Sequence, residues 1–158
     1  MYWNLTLYRL LPEFRRLEAE AQEHLKDELA ALLERWVGRE GLSVYSLVGF
    51  SSEADLLLFQ KAEDPKAFAL FQKELHRTRM LGFLAPEGRY LDRGEGGPKG
   101  EALLLPWGLE ETPLGLRVFR GEVLALVEGP LAQLFPLLLR EGGYLGQRKP
   151  PREALDEL

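Results

Sequence analysis

Val44-Tyr45-Ser46-Leu47-Val48, a Ser51-Ser52-Glu53 turn, Asp55-Leu56-Leu57-Leu58-Phe59 and an Asp64-Pro65 helix start follow one another within residues 44–84. Two apolar runs joined by a short polar turn, then a helix-opening proline, read as a β-hairpin leading into a helix. The series returns within residues 114–145: Leu114 to Phe119, an Arg120-Gly121-Glu122 turn, Val123-Leu124-Ala125-Leu126-Val127, and a Gly129-Pro130 helix start. Leu70-Phe71 and Leu75 of the first helix recur as Leu134-Phe135 and Leu139. An internal repeat sets architecture ahead of any motif. Here it predicts two related half-domains.

The first copy is complete. Before it, Trp3, Leu5 and Leu7 alternate with Asn4 and Thr6 in a strand from Tyr2 to Leu10, and Pro12 opens a helix. Phe14, Leu17, Ala21, Leu25, Leu29, Leu32 and Trp36 fall on one stripe of that helix, which Gly38 and Gly41 end. Strands are expected at 43–49 and 55–60. The second is apolar throughout, as a strand covered on both faces should be. A helix from Pro65 carrying Phe68, Phe71 and Leu75, then a strand around Arg89-Tyr90-Leu91, complete the order βαββαβ. That order is ferredoxin-like: an α+β unit with an antiparallel sheet and both helices on one face.

The second copy is shorter. Strands are expected near 101–106, 114–119 and 122–128, with a helix from Pro130. Only the loop Trp107-Gly108-Leu109-Glu110-Glu111-Thr112-Pro113 stands where the long helix should be. A final strand at Tyr144-Leu145 is doubtful between its glycines and the Pro150-Pro151 break. The expected organisation is a half-domain over 1–93, a Gly/Pro linker over 94–100, a reduced half over 101–146, and a tail over 147–158. The linker, Gly94-Glu95-Gly96-Gly97-Pro98-Lys99-Gly100, lacks both the Walker and the dinucleotide spacings, and no helix follows it to present N–H groups to a phosphate. The last helix is apolar around nearly its whole circumference. Pro136 should kink it near Phe135, since an interior proline costs ~3 kcal/mol. A greasy short helix in so small a chain predicts a homo-oligomer.

Composition bounds the function. The chain of 158 residues has no cysteine, which removes disulfides, thiol catalysis and thiolate metal sites and fits a reducing, cytoplasmic setting. Its net charge of −5 is interspersed, and Arg15-Arg16 and Arg77/Arg79 sit among acidic neighbours. With no basic stripe, nucleic acid is not an expected partner. No export signal opens the chain, and its apolar runs fall short of the ~20 residues a membrane helix needs, so no membrane partner is expected.

The ordered series resembles the chlorite dismutase-like family, which includes the coproheme decarboxylases. The resemblance runs from Trp3-Asn4-Leu5-Thr6-Leu7-Tyr8-Arg9-Leu10 through Tyr45-Ser46-Leu47-Val48-Gly49-Phe50 and Glu53 to Phe59. It continues with Asp64-Pro65, Arg77-Thr78-Arg79 and Tyr90-Leu91, and resumes weakly over 114–145. It implies two ferredoxin-like halves packed as an α+β barrel, often in rings of subunits. It further implies heme or coproheme in the second half, held by a histidine on that half's long helix. This chain lacks that helix and has no histidine after His76. Leu105-Pro106 stands where the decarboxylases carry a Tyr-Pro pair, and Tyr144 is the one phenol left downstream as a possible iron ligand.

Other chemistry is sparse. His24 and His76 flank apolar stripes and read as surface residues, although His24 with Glu20 or Glu28 has the i, i+4 spacing of a metal clip. Glu13, Glu18, Glu20, Glu23 and Glu110-Glu111 lie in loops or on polar faces, where nothing tunes a carboxylate for acid–base work. Ser51 and Ser52 serve a turn, and neither they nor Ser43 and Ser46 lie in a nucleophile elbow. No catalytic residue and no metal ligand is assigned. The resemblance places Arg117 and Trp107 near the family's ligand cavity, with Tyr90 as a further contact. Arginine could clamp the propionate of a tetrapyrrole. The expected function is that of a degenerate chlorite dismutase-like protein: a non-catalytic, oligomeric binding or interaction protein with no cofactor. The alternatives are a binder of heme, coproheme or an apolar small molecule, or a heme-dependent oxidoreductase of the family type.

Overall fold

The computed structural model describes residues 1–39, 41–109 and 111–158, so Glu110, read above as a loop carboxylate, lies outside the described residues. The strands are β1 (Tyr2–Leu10), β2 (Leu42–Ser46), β3 (Leu56–Ala62), β4 (Leu84–Arg93), β5 (Ala102–Pro106), β6 (Arg117–Arg120), β7 (Ala125–Gly129) and β8 (Gly143–Arg148). Four helices accompany them: α1 (Ala19–Gly38), α2 (Lys66–His76), α3 (Leu131–Glu141) and α4 (Pro151–Asp156). All strands join one eight-stranded sheet in the order β4-β1-β3-β2-β8-β5-β7-β6. Every pairing in it is antiparallel.

Each half therefore has the same strand order, its fourth strand beside its first and its third between first and second. The halves meet where Tyr45 and Ser46 of β2 face Arg148 and Gln147 of β8. At the other seam Gly94, just past β4, bridges Gly121, just past β6, and Glu122 N–H donates to the Arg93 carbonyl at 3.1 Å. The sheet has curled until its two edges touch. Closure removes the exposed edges that would otherwise template aggregation.

Strand alternation divides the apolar side chains between two layers. Trp3, Leu5, Leu7, Leu57, Phe59, Leu103 and Leu105 point inward and fill the barrel. Leu56 and Leu58 point outward, against Leu29, Leu33 and Trp36 of α1 and Phe71 and Leu75 of α2. That double covering explains the unbroken apolar run 56–59. In the second half Leu104, Val127 and Leu145 meet Leu134 and Leu137 of α3. Among described residues no helix stands between β5 and β6, so α3 has no companion there.

Several boundaries differ from the sequence expectation. Phe14 belongs to a separate 3-10 turn, Pro12–Arg16, and α1 begins only at Ala19 after an extended Leu17-Glu18 step. β6 begins at Arg117 rather than 114, leaving Leu114 fully exposed. α3 continues through Pro136 to Glu141. The doubtful last strand is β8, a central strand of the sheet. Its glycines are what admit it: Gly143 has φ +121°, and a Cβ on Gly146 would stand 2.8 Å from that of Tyr45. The stretch expected as a tail carries α4, whose Ala154 and Leu155 are wholly buried in the core beneath α1.

Candidate functional site

The barrel interior is occupied by the protein itself. Trp3, Leu5, Leu7, Tyr45, Leu47, Leu57 and Leu103 are fully buried there, and the Trp3 and Phe59 rings meet edge to face at 6.1 Å. The linker 94–100 folds over one mouth as a plug. Trp3 Nε1 donates to the Gly96 carbonyl at 3.0 Å, and the N–H groups of Lys99 and Gly100 both donate to Glu128 Oε2 at 2.7 Å. Glu128 is almost buried, and these two charge-assisted bonds offset its desolvation.

Of the residues singled out in the sequence, Arg117 opens β6 opposite Glu128, 3.8 Å from its carboxylate, with its guanidinium 4.7 Å from the Phe119 ring centre. Its side chain is 73% exposed. Trp107 follows β5, is 61% exposed, and meets Tyr144 edge to face at 5.0 Å. Tyr90 is half-buried against the inner core, its ring 3.3 Å from where a Cβ on Gly88 would lie. Register separates these groups. Arg117 is level with Glu128 and hence Leu103, so Trp107 stands four residues along β5, roughly 13 Å away at ~3.3 Å per residue. The structure places the three in separate surroundings.

Tyr144, considered in the sequence only as a possible iron ligand, meets Glu53 of the turn between β2 and β3. Tyr144 Oη donates to Glu53 Oε2 at 3.2 Å. Burial, then the Glu53 hydrogen bond and neighbouring negative charge, push the phenol up to about 12. The glycine-flanked position of Tyr144 hid this, because its partner comes from the hairpin turn of the other half.

Heme iron requires a protein donor such as imidazole, thiolate, thioether or phenolate. Both histidines lie on first-half helices. His24 is exposed and 3.8 Å from Glu20, while Glu28 accepts from the Arg79 N–H at 2.7 Å instead of facing His24. His76 hydrogen-bonds Gln72 at 3.0 Å. Tyr144 already spends its hydroxyl on Glu53 of the other half. Among the described residues no group of three His, Asp or Glu side chains could hold a metal ion. The donor set in the second half does not fit a protein-ligated heme iron. Ser51 Oγ accepts from the N–H groups of Glu53 and Ala54, which is the turn role its position predicts. Among the described residues no helix is long and apolar enough to cross a membrane.

No protein-family model matches the chain, and no curated protein sequence does. Solved structures do. A site-directed variant of chlorite dismutase from Candidatus Nitrospira defluvii superposes with a TM-score of 0.73 at 16% identity, covering 99% of this chain and 94% of that one. The same enzyme in complex with imidazole gives the same TM-score, identity and coverage. A chlorite dismutase-like protein, TA0507, gives 0.76 at 11% identity, covering 98% of this chain and 97% of that one. Its strand order, curled sheet and two ferredoxin-like halves agree with these superpositions, and this chain has the chlorite dismutase fold.

Proposed function

We propose that this chain keeps the chlorite dismutase fold without its iron chemistry, and works as a homo-oligomeric binding or interaction protein. The observation that carries this reading is the second half's donor set: no imidazole, no helix between β5 and β6 among the described residues, and a single phenol tied to Glu53. The inner barrel is packed with its own side chains, which leaves little for a macrocycle to displace at low cost. Large apolar residues are instead exposed on the outside of the second half: Leu114 at 99%, Val123 at 85%, Leu139 at 73% and Trp107 at 61%. Exposed apolar surface of this kind is characteristic of a surface that meets a partner.

Titration of the purified native protein with hemin and with coproheme tests the proposal. The expected result is no stoichiometric complex and no sharp Soret band, with neither peroxide nor chlorite consumed beyond free porphyrin. A tight one-to-one complex with peroxide- or chlorite-dependent turnover would overturn it in favour of a heme oxidoreductase. Tight uptake of metal-free porphyrin without turnover would favour a tetrapyrrole carrier. An Arg117→Ala variant then asks whether a propionate clamp holds it.

A further inference from the structure

Two cavities, of about 280 and 520 Å³, open beside the plugged mouth of the barrel and share Val37, Leu42, Ser43, Lys99 and Arg148 as walls, so they are lobes of one cleft. The combined space suits a small ligand. The smaller lobe adds Lys61 over a floor of Phe59 and Pro98. The larger continues over Val44, Pro150 and Pro151.

The charge in this cleft is unusual for a chain of net −5. Among the described residues, Lys61, Lys99 and Arg148 have no carboxylate at ion-pair distance, whereas most other cations in the chain's ion pairs lie on its outer surface. Arg148 donates to the Lys99 carbonyl at 2.6 Å, which fixes the guanidinium at the cleft wall and leaves donors over. Among the described residues, the nearby acids are engaged or peripheral. Glu128 is consumed by the linker N–H groups and Arg117, Glu157 pairs with Lys149 at 3.7 Å, and Glu101 lies on the rim of the larger lobe. The three cations come from β3, the linker and β8, so only folding brings them together. No run in the sequence announces them.

A second observation points the same way. Tyr45 is fully buried, and its hydroxyl approaches Ser43 without reaching full hydrogen-bond geometry. It faces Arg148 across the β2–β8 seam and lies two residues from Ser43 on the same strand face. Burial holds the phenol at about 12, against the pull of Arg148. A buried, incompletely bonded donor costs free energy unless something supplies an acceptor.

We propose that this cleft binds a small amphipathic carboxylate, its head among Lys61, Lys99, Arg148 and Ser43 and its apolar body along Val37 and the Pro150-Pro151 wall. The inference stands whether or not the iron chemistry has been lost, because no residue in it belongs to the second-half donor set. Calorimetric titration of the full chain at pH 7 with octanoate, octan-1-ol and inorganic phosphate tests it. Octanoate is expected to bind one per chain, with the alcohol and phosphate each at least about tenfold weaker, since each lacks one half of the recognition. Lys61→Arg should retain binding and Lys61→Glu abolish it. Lys61 is half-buried at the cleft wall and outside the core, so both variants should keep the parent far-ultraviolet dichroism. Equal affinity for octanoate and octan-1-ol, tighter binding of phosphate, unaltered binding in Lys61→Glu, or no octanoate heat at millimolar concentration would each overturn the proposal.

Discussion

Three successive backbone N–H groups, from Glu122, Val123 and Leu124, converge on the carboxylate of Asp92 at 3.0, 3.0 and 2.7 Å, and Arg93 N–H adds a fourth bond at 2.7 Å. Asp92 is the penultimate residue of β4 and the turn belongs to the β6–β7 hairpin, so one side chain ties the first edge of the sheet to the last. Partial burial alone would raise its pKa, but the four amides outweigh that and hold it below 3.8. The direction of the pH effect follows. A group whose folded pKa is depressed stabilises the fold above its unfolded value and loses that contribution as pH falls through the folded one. Asp92 therefore contributes in full from neutrality down to about pH 4, and progressively less in more acid solution. Asp92→Asn keeps the shape but removes the charge and one acceptor, and should cost about 1–2 kcal/mol at pH 7. Thermal unfolding of the two proteins at pH 7 and at pH 3 checks this. The difference between them should shrink in acid, and a gap that widens would show that the carboxylate is not what the turn recognises.

At the scale of elements, the least expected piece is α4. Pro151-Arg152-Glu153-Ala154-Leu155-Asp156 shows little apolar periodicity, and only its proline, Ala154 and Leu155 are buried. Those few are placed well: Leu155 is fully buried with Leu29, Leu33 and Trp36 in the core under α1. Arg152 reaches Glu23 and Asp27 of α1 and Asp156 of its own helix, so ions fringe an apolar contact. Leu155→Ala should destabilise the chain by about 2–4 kcal/mol, the range for a buried leucine leaving a cavity. Arg152→Ala should cost no more than about 1 kcal/mol, because its partners are largely solvated. Urea unfolding of both variants separates packing from charge, and an equal loss from each would contradict that division. The same contrast explains which elements were legible in the sequence. β1, β3 and α1 carry long apolar patterns with correct periods, because each buries a whole face. α4 buries three residues, and β8 is broken by glycines that its neighbours require. The candidate site was less legible than the fold. Arg117 and Trp107 are close in sequence terms to the same hairpin, but strand register sets them at different levels. Lys61 and Arg148 share a cleft although they lie in different halves.

For the whole molecule, the two halves are unequal in how their outer faces are covered. The first half carries α1, α2 and the returning α4, while the second has α3 alone among described residues. A ferredoxin-like sheet normally buries that face under two helices. Here a loop runs past it, leaving Leu114, Val123 and Leu139 mostly exposed, with Phe135 at 42%. Burying one such leucine in a contact is worth about 1.5–3 kcal/mol, so a few of them suffice to hold subunits together once matched by a partner surface. If a second copy supplies the cover, the wild-type protein should run in light scattering at a multiple of 18.0 kDa. A Leu114→Glu, Leu139→Glu double variant should then run as the 18.0 kDa chain, with unchanged far-ultraviolet dichroism, since neither side chain enters the core. A wild-type protein already monomeric at micromolar concentration would remove the oligomer from the proposal. A double variant that stays assembled would move the contact away from α3 and the 111–116 loop, onto the first half, where Leu70 and Leu91 are the large apolar side chains most exposed.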